Sequence, residues 1–351
     1  MNNNNKRITN DTEDNNHTSI MGSVDNRVEF DHMDSNLSKH DHVRGITMKD
    51  YLASLTTEGI NPETGMIDEL STEGMLELMN QEDAKVHVAV RQEIPRIALA
   101  VEALHHALST GGRMFYIGAG TSGRLGVLDA SECLPTFGVD PSLVQGYIAG
   151  GDQALRIPVE GCEDDGDEGR ALIDQIGVTG KDAVIGISAS GSAAFVIEAL
   201  RRASELGAVT IGVVNNKDTK LSEAADITIA PVVGPEVIAG STRLKAGTAQ
   251  KLVLNMLTTT TMVKLGKTYN NLMVDLKASN KKLFDRSLRI IRTATGTDEA
   301  TAEQYLRQSE LDCKLAIMMI KSGLGAEEAK KVLANCGGNL KRAIRACSQV
   351  K

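Results

Sequence analysis

Two segments of this chain have the residue types and spacing to hold an anion. Residues 113–124 read Arg-Met-Phe-Tyr-Ile-Gly-Ala-Gly-Thr-Ser-Gly-Arg, so an apolar strand pattern runs directly into Gly118, Gly120 and Gly123, with a helix opening at about Ser122. Backbone N–H groups at a helix start, approached closely because glycine lacks a Cβ, make an anion site. Thr121 and Ser122 put hydroxyls at that position, which suits a phosphate monoester. The spacing also satisfies GxGxxG, so a dinucleotide competes as ligand; the acidic residue such a site needs is at best Asp152, late and behind two glycines. A tight strand-to-helix turn with no ligand is the third reading. The second segment is Ser188-Ala189-Ser190-Gly191-Ser192, placed after the apolar run Ala183–Ile187 and before another helical pattern. Serines there can be mere helix caps. Two such turns at the carboxyl ends of strands in one sheet point instead to a ligand crevice. The hydroxyls of Ser188, Ser190 and Ser192 with a helix N-terminus can wrap a phosphate without a lysine.

Proton chemistry in such a crevice falls to carboxylates. Beyond the first 48 residues the histidines are His87, His105 and His106, all in one helical segment, which disfavours a Ser-His-Asp mechanism or a zinc site in the core. Leu125, Leu128 and Glu132 share a helix face at i, i+3 and i+7, with Pro135 ending the run. A carboxylate on a buried apolar stripe acquires a raised pKa, as a general acid needs; an exposed helix end is the equal alternative. A second acidic cluster spans 160–168, with Glu160, Glu163, Asp164, Asp165, Asp167 and Glu168. Most of it reads as favourable charge at the start of the next helix, a calcium loop lacks its alternating ligands, and residue chemistry singles out none of the six. Arg243 and Lys245 stand at the start of a long helix, where cations oppose the macrodipole. They make sense there facing an anion; a solvent-facing pair is the alternative.

The elements that must position these residues alternate. Short apolar runs at Met114–Ile117, Leu143–Ile148, Ala183–Ile187, Val209–Val214 and Ile227–Ala230 are separated by helical stretches such as Ala194–Leu206 and Ala246–Leu265, and preceded by a helical pattern over Val86–Ser109. Strands alternating with helices predict an α/β fold, a doubly wound parallel sheet covered on both faces. After about residue 290 the strand signals stop, and Ala300–Arg307, Asp312–Lys321, Ala326–Asn335 and Asn339–Ala346 read as a C-terminal small helical bundle. Residues 1–48, rich in Asn, Asp, Ser and His, cannot bury enough surface to order and read as a disordered N-terminal tail. The expected organisation is therefore a 1–48 tail, a 49–290 α/β domain and a 291–351 bundle.

Bulk properties narrow the partners. A net charge of −8 and 3% aromatic residues with no Trp disfavour nucleic acid, which needs basic patches and stacking platforms. Five cysteines without a CxxC pair read as reduced thiols, and no apolar stretch approaches a membrane span or a secretory signal, so a cytoplasmic protein with no membrane partner is expected.

From about Leu55 to Arg345 the chain resembles the N-acetylmuramic acid 6-phosphate etherases of the sugar isomerase (SIS) superfamily. The segments that carry the resemblance are Thr57-Glu58-Gly59, Gly118–Arg124, Asp129-Ala130-Ser131-Glu132-Cys133, Ala149-Gly150-Gly151, Val159-Glu160-Gly161 with Glu163-Asp164, Gly240–Lys251 and Asn271-Leu272-Met273-Val274-Asp275. The resemblance implies an SIS-type, flavodoxin-like fold with a ubiquitin-associated-like bundle. It implies cleavage of the D-lactyl ether of an amino-sugar phosphate, with Glu132 as acid and Glu163 as base, and with no metal or organic cofactor. It further implies substrate binding by Thr121, Ser122, Ser188, Ser190, Ser192, Arg243 and Lys245, and a homodimer whose site Gly240–Lys251 completes. One departure stands out: where the family continues its second serine turn with Arg-Thr-Pro, this chain has Ser192-Ala193-Ala194, so a hydroxyl at 193 is absent. A non-catalytic sugar-phosphate regulator of the same fold is the alternative.

Overall fold

The computed structural model describes residues 54–276 and 280–348; the expected tail at 1–48 lies outside them. Five strands, β1 (Met114–Gly118), β2 (Val144–Ile148), β3 (Ala183–Ile187), β4 (Val209–Val213) and β5 (Ile227–Ile229), coincide with the five apolar runs. They form one sheet in the order β2-β1-β3-β4-β5, and every neighbouring pair is parallel. The chain goes to one side of β1 for β2, then crosses back to its other side for β3. That reversal opens a crevice at the carboxyl ends of β1 and β3, where doubly wound sheets bind ligands.

Both faces of the sheet are covered, which is why β1 and β3 are buried at every residue and read as continuous apolar runs. Alternation divides them: Met114, Tyr116, Ile185 and Ile187 join one core, Phe115, Ile117 and Val184 the other. The first core is roofed by α1 (Thr72–Gln92), α2 (Ile94–Ser109), α3 (Gly120–Phe137) and the long α7 (Lys245–Lys264); the second by α4 (Gly166–Gln175), α5 (Ala194–Glu205) and the short α6 (Lys220–Glu223). The helix expected over Val86–Ser109 is two helices. Pro95 has no N–H to donate to the carbonyl of Arg91, so α1 stops at Gln92 and α2 restarts at Ile94. Pro135 does not end α3 as expected but sits in its last turn; Gly138, at φ 61°, closes the helix by donating to the Leu134 carbonyl.

The helical bundle begins earlier than residue 291. The hairpin β6 (Thr268–Tyr269) and β7 (Leu272–Met273) and the helix α8 (Lys281–Thr295) share one core with α9 (Glu299–Gln308), α10 (Cys313–Ser322), α11 (Ala326–Asn335) and α12 (Leu340–Ser348). Val274, Leu276 and Leu288 are buried in it beside Leu306 and Ile317. The central helix α10 is apolar nearly all round, and one of its two lysines, Lys314, turns inward to meet Asp275 at 2.7 Å and the Gly338 carbonyl at 3.0 Å. Among the described residues no helix is long and apolar enough to cross a membrane.

Candidate active site

The two anion-binding turns lie side by side, because β1 and β3 are hydrogen-bonded neighbours with Gly118 paired to Ile187. Both helices that follow them start without a side-chain cap: α3 after Ala119 and α5 after Ala193. Several other helices do have such caps, from Ser71 on α1, Asp165 on α4, Thr219 on α6 and Asn280 on α8, whereas α2, α7 and α11 also lack one from the N-cap residue. The uncapped first-turn amides are donors awaiting an acceptor, as a phosphate site requires. Close packing brings the first turn into place. A Cβ on Gly123 would stand 2.6 Å from Ile148 Cγ1 and 2.8 Å from the Gly118 carbonyl oxygen, so only glycine lets α3 descend directly from β1.

The hydroxyls of the two turns are used differently. Ser122 is buried and donates to Gln250 Oε1 at 2.9 Å, while Gln250 Nε2 donates to Asn215 Oδ1 at 3.0 Å. Ser122 is thus committed to a core network instead of pointing at a ligand, contrary to the role expected of it. Thr121 is half-buried and makes no hydrogen bond with its hydroxyl among the described residues. Ser188 Oγ accepts from the Gly191 amide at 3.1 Å and shapes the second turn. Ser190 and Ser192 share a hydroxyl–hydroxyl bond of 2.7 Å and are half-buried. The turn's backbone is held from outside: the Ala189 carbonyl accepts from the Asn215 amide and from Asn216 Nδ2, each at 3.0 Å. Asn216 also donates to Thr57 Oγ1 at 3.0 Å, which draws the early Thr56–Glu58 turn to the crevice. Gln250, Asn215 and Asn216 were not among the expected site residues; the adjacent amides directly after a strand were the available signal.

The expected cations part company. Arg243 is exposed and has no ion-pair partner among the described residues. Lys245 is 1% exposed, and its ammonium sits 2.5 Å from the equally buried Glu82. Its expected contact with substrate therefore fails in this structure, because an anion within the chain already answers the charge. Burial alone would raise the Glu82 carboxyl, but Lys245, Lys85 and Asn61 hold it below the usual range. The start of α7 is likewise occupied. Buried Glu236 accepts from the Lys245 and Ala246 amides, both at 2.9 Å, so burial pushes its pKa up while those amides draw it down.

Glu163 lies in a short turn, Cys162–Asp164, that packs against α5. Desolvation, and then the neighbouring Asp164 charge, push its pKa above the ordinary range, although its surface remains accessible to water. Glu132 is on α3 with Leu125 and Leu128 as expected, but the stripe turns from core to solvent: Leu125 packs against the first core, Leu128 is 49% exposed and Glu132 is exposed. Of the two readings of Glu132, the exposed one is what this chain shows. At about 1.5 Å per residue, the eleven residues from Thr121 to Glu132 separate them by roughly 16 Å along the helix.

Comparison with known proteins bears on this geometry. Residues 96–204 match the glucokinase regulatory protein N-terminal SIS domain, residues 171–260 the SIS domain, and residues 270–319 the C-terminal lid domain of glucokinase regulatory protein. An N-acetylmuramic acid 6-phosphate etherase of Clostridium acetobutylicum is 53% identical over 298 residues, covering 85% of this chain and 99% of that protein. The chain belongs to the N-acetylmuramic acid 6-phosphate etherase family. Two further etherases are similar: that of Caldanaerobacter subterraneus subsp. tengcongensis at 53% identity, over 84% of this chain and 96% of that protein, and etherase 2 of Vibrio cholerae at 50%, over 84% and 95%. The etherase relatives span the α/β sheet and the bundle together, so the lid domain is part of the etherase architecture and does not by itself mark a regulator.

Proposed function

We propose that this chain cleaves the D-lactyl ether of N-acetylmuramic acid 6-phosphate to N-acetylglucosamine 6-phosphate and D-lactate, with Glu163 and Glu132 moving the protons. The observation that carries the site reading is the pair of uncapped strand-to-helix turns at the crevice between β1 and β3, which offers Thr121, Ser190, Ser192 and two sets of helix amides to a phosphate. Family membership supports the reaction. In the ring-opened sugar the C1 aldehyde acidifies the C2 proton. Glu163, as carboxylate, takes that proton; the C3–O bond breaks; and Glu132 protonates the departing lactate oxygen. Water then adds to C3 of the unsaturated aldehyde, giving one proton back to Glu132 while Glu163 returns its own to C2. Because the pKa of Glu163 is raised, the acidic limb of kcat/KM is expected above the usual glutamate value of about 4.3.

The roughly 16 Å between Thr121 and Glu132 along α3 exceeds the reach of one hexose phosphate. With Leu128 and Leu134 each 49% exposed beside Glu132, this supports a homodimer in which the phosphate turns of one copy work with Glu132 of a second. Two experiments test the reading. Glu132→Gln should retain exchange of the C2 proton with deuterated solvent while D-lactate release falls on the order of 100-fold or more; Glu163→Gln should lose both. Mixing the two inactive variants should restore part of the activity, since hybrid dimers regain one intact site. Full lactate release by either variant would sink the two-glutamate mechanism. Mixtures that stay inactive while subunits exchange would place both glutamates in one chain.

A further inference from the structure

Between α3 and α7 the surface holds a groove of about 230 Å³, and Glu132 lines it. Its walls are apolar, from Leu125, Leu128 and Leu254. Its polar end carries Lys251, Asn255 and Asp129. Lys251 forms no ion pair among the described residues, unlike Lys245 two turns earlier on α7, whose charge is answered by Glu82. With its amide oriented to satisfy both polar atoms, Asn255 donates to Asp129 Oδ1 at 3.1 Å and accepts from Lys251 Nζ at 2.9 Å. The other carboxylate oxygen of Asp129 accepts from the buried Tyr116 hydroxyl at 2.9 Å. Both oxygens of Asp129 are therefore engaged by neutral donors of the protein, and Asn255 fixes the Lys251 ammonium at the groove. Burial, the largest influence, raises the Asp129 pKa, with the Tyr116 hydrogen bond and the Lys251 charge acting the other way.

We propose that this groove is the subsite for the lactyl arm of the substrate, with the Lys251 ammonium pairing its carboxylate and the leucine walls receiving its methyl group. The inference rests on the etherase reading above and adds to it the residue that recognises the leaving group. The chemistry matches on three counts. A D-lactyl ether carries one carboxylate, one methyl group and one ether oxygen, and the groove presents one free cation, an apolar wall and the proton donor assigned to that oxygen.

The test compares a substrate that has the arm with a sugar that lacks it. Lys251→Met keeps the aliphatic stem and removes the charge. Its KM for N-acetylmuramic acid 6-phosphate, read by D-lactate release, should rise roughly 10- to 100-fold, the range for a lost charge-assisted contact. The same variant should exchange the C2 proton of N-acetylglucosamine 6-phosphate at the wild-type rate, which also shows that it is folded. Lys251→Arg should recover most of the affinity. A substrate whose lactyl carboxylate is converted to the amide should suffer a similar loss with wild type and no further loss with Lys251→Met. An unchanged KM, or an equal fall in exchange with the arm-free sugar, would overturn the subsite. Wild type that exchanges the C2 proton but releases no lactate would instead overturn the etherase reading.

Discussion

After β1, Ser122 is sunk into the core and spends its hydroxyl on Gln250; after β3, Ser190 and Ser192 stay half-buried and bond only to each other and to their own turn. Both turns join a parallel strand to an uncapped helix, and both look in sequence like hydroxyl-rich anion cradles. The difference lies in what crosses behind them. The long helix α7 passes beneath the first turn and brings Gln250 within reach of Ser122, whereas the second turn is gripped through its backbone by Asn215 and Asn216. The first turn thus offers mainly amides and Thr121, and the second offers hydroxyls. A serine in a phosphate-loop pattern is available only if no neighbouring element has already engaged it.

The largest expected effect falls on the second turn's backbone. Gly191 has φ 71°, and a Cβ there would lie 2.4 Å from Thr219 Cβ. Gly191→Ala combines left-handed strain with overpacking, together on the order of 2–5 kcal/mol, and should lower the denaturation midpoint and abolish sugar-phosphate binding. An unchanged midpoint would show that this turn is not the rigid scaffold described. Next come the serines themselves. Ser122→Ala leaves Gln250 Oε1 without its donor and should cost about 1–3 kcal/mol of stability with little change in KM. Ser190→Ala should do the reverse, raising KM roughly 10-fold at an unchanged melting temperature. If the two variants traded these signatures, the comparison would be inverted. The smallest effect is expected from removing residues 1–48, whose composition offers nothing to a core. Turnover and melting temperature should both stay where they are, and a large fall in either would mean that the segment supports one of the turns.

The sheet was legible from the chain alone because central parallel strands buried on both faces, as β1 and β3 are, must be apolar throughout, and five short apolar runs spaced by helical segments leave little choice of class. The two turns were legible because glycines and hydroxyls fall directly between an apolar strand pattern and a helical one. The misreadings concern side chains whose partners lie far off in sequence. Lys245 reads as a cation beside a helix start until α1 delivers Glu82 from 163 residues away, and the helix start itself is closed by Glu236. Leu125, Leu128 and Glu132 share a helix face in any account, yet periodicity does not say whether that face meets the core or water.

What the sequence by itself determined is local and periodic: where strands end, where amides are left uncapped, which residues share a helix face. These follow from backbone geometry and from residues within a turn or two. What only the tertiary structure decided is which polar groups remain unspent. Ser122, Lys245 and Glu236 are consumed by distant parts of the chain, while the side chains of Thr121 and Arg243 have no partner among the described residues. A buried polar group takes whatever partner packing brings to it, since leaving it unsatisfied costs about 1–3 kcal/mol. Packing of distant elements is the part of the fold that local pattern does not encode.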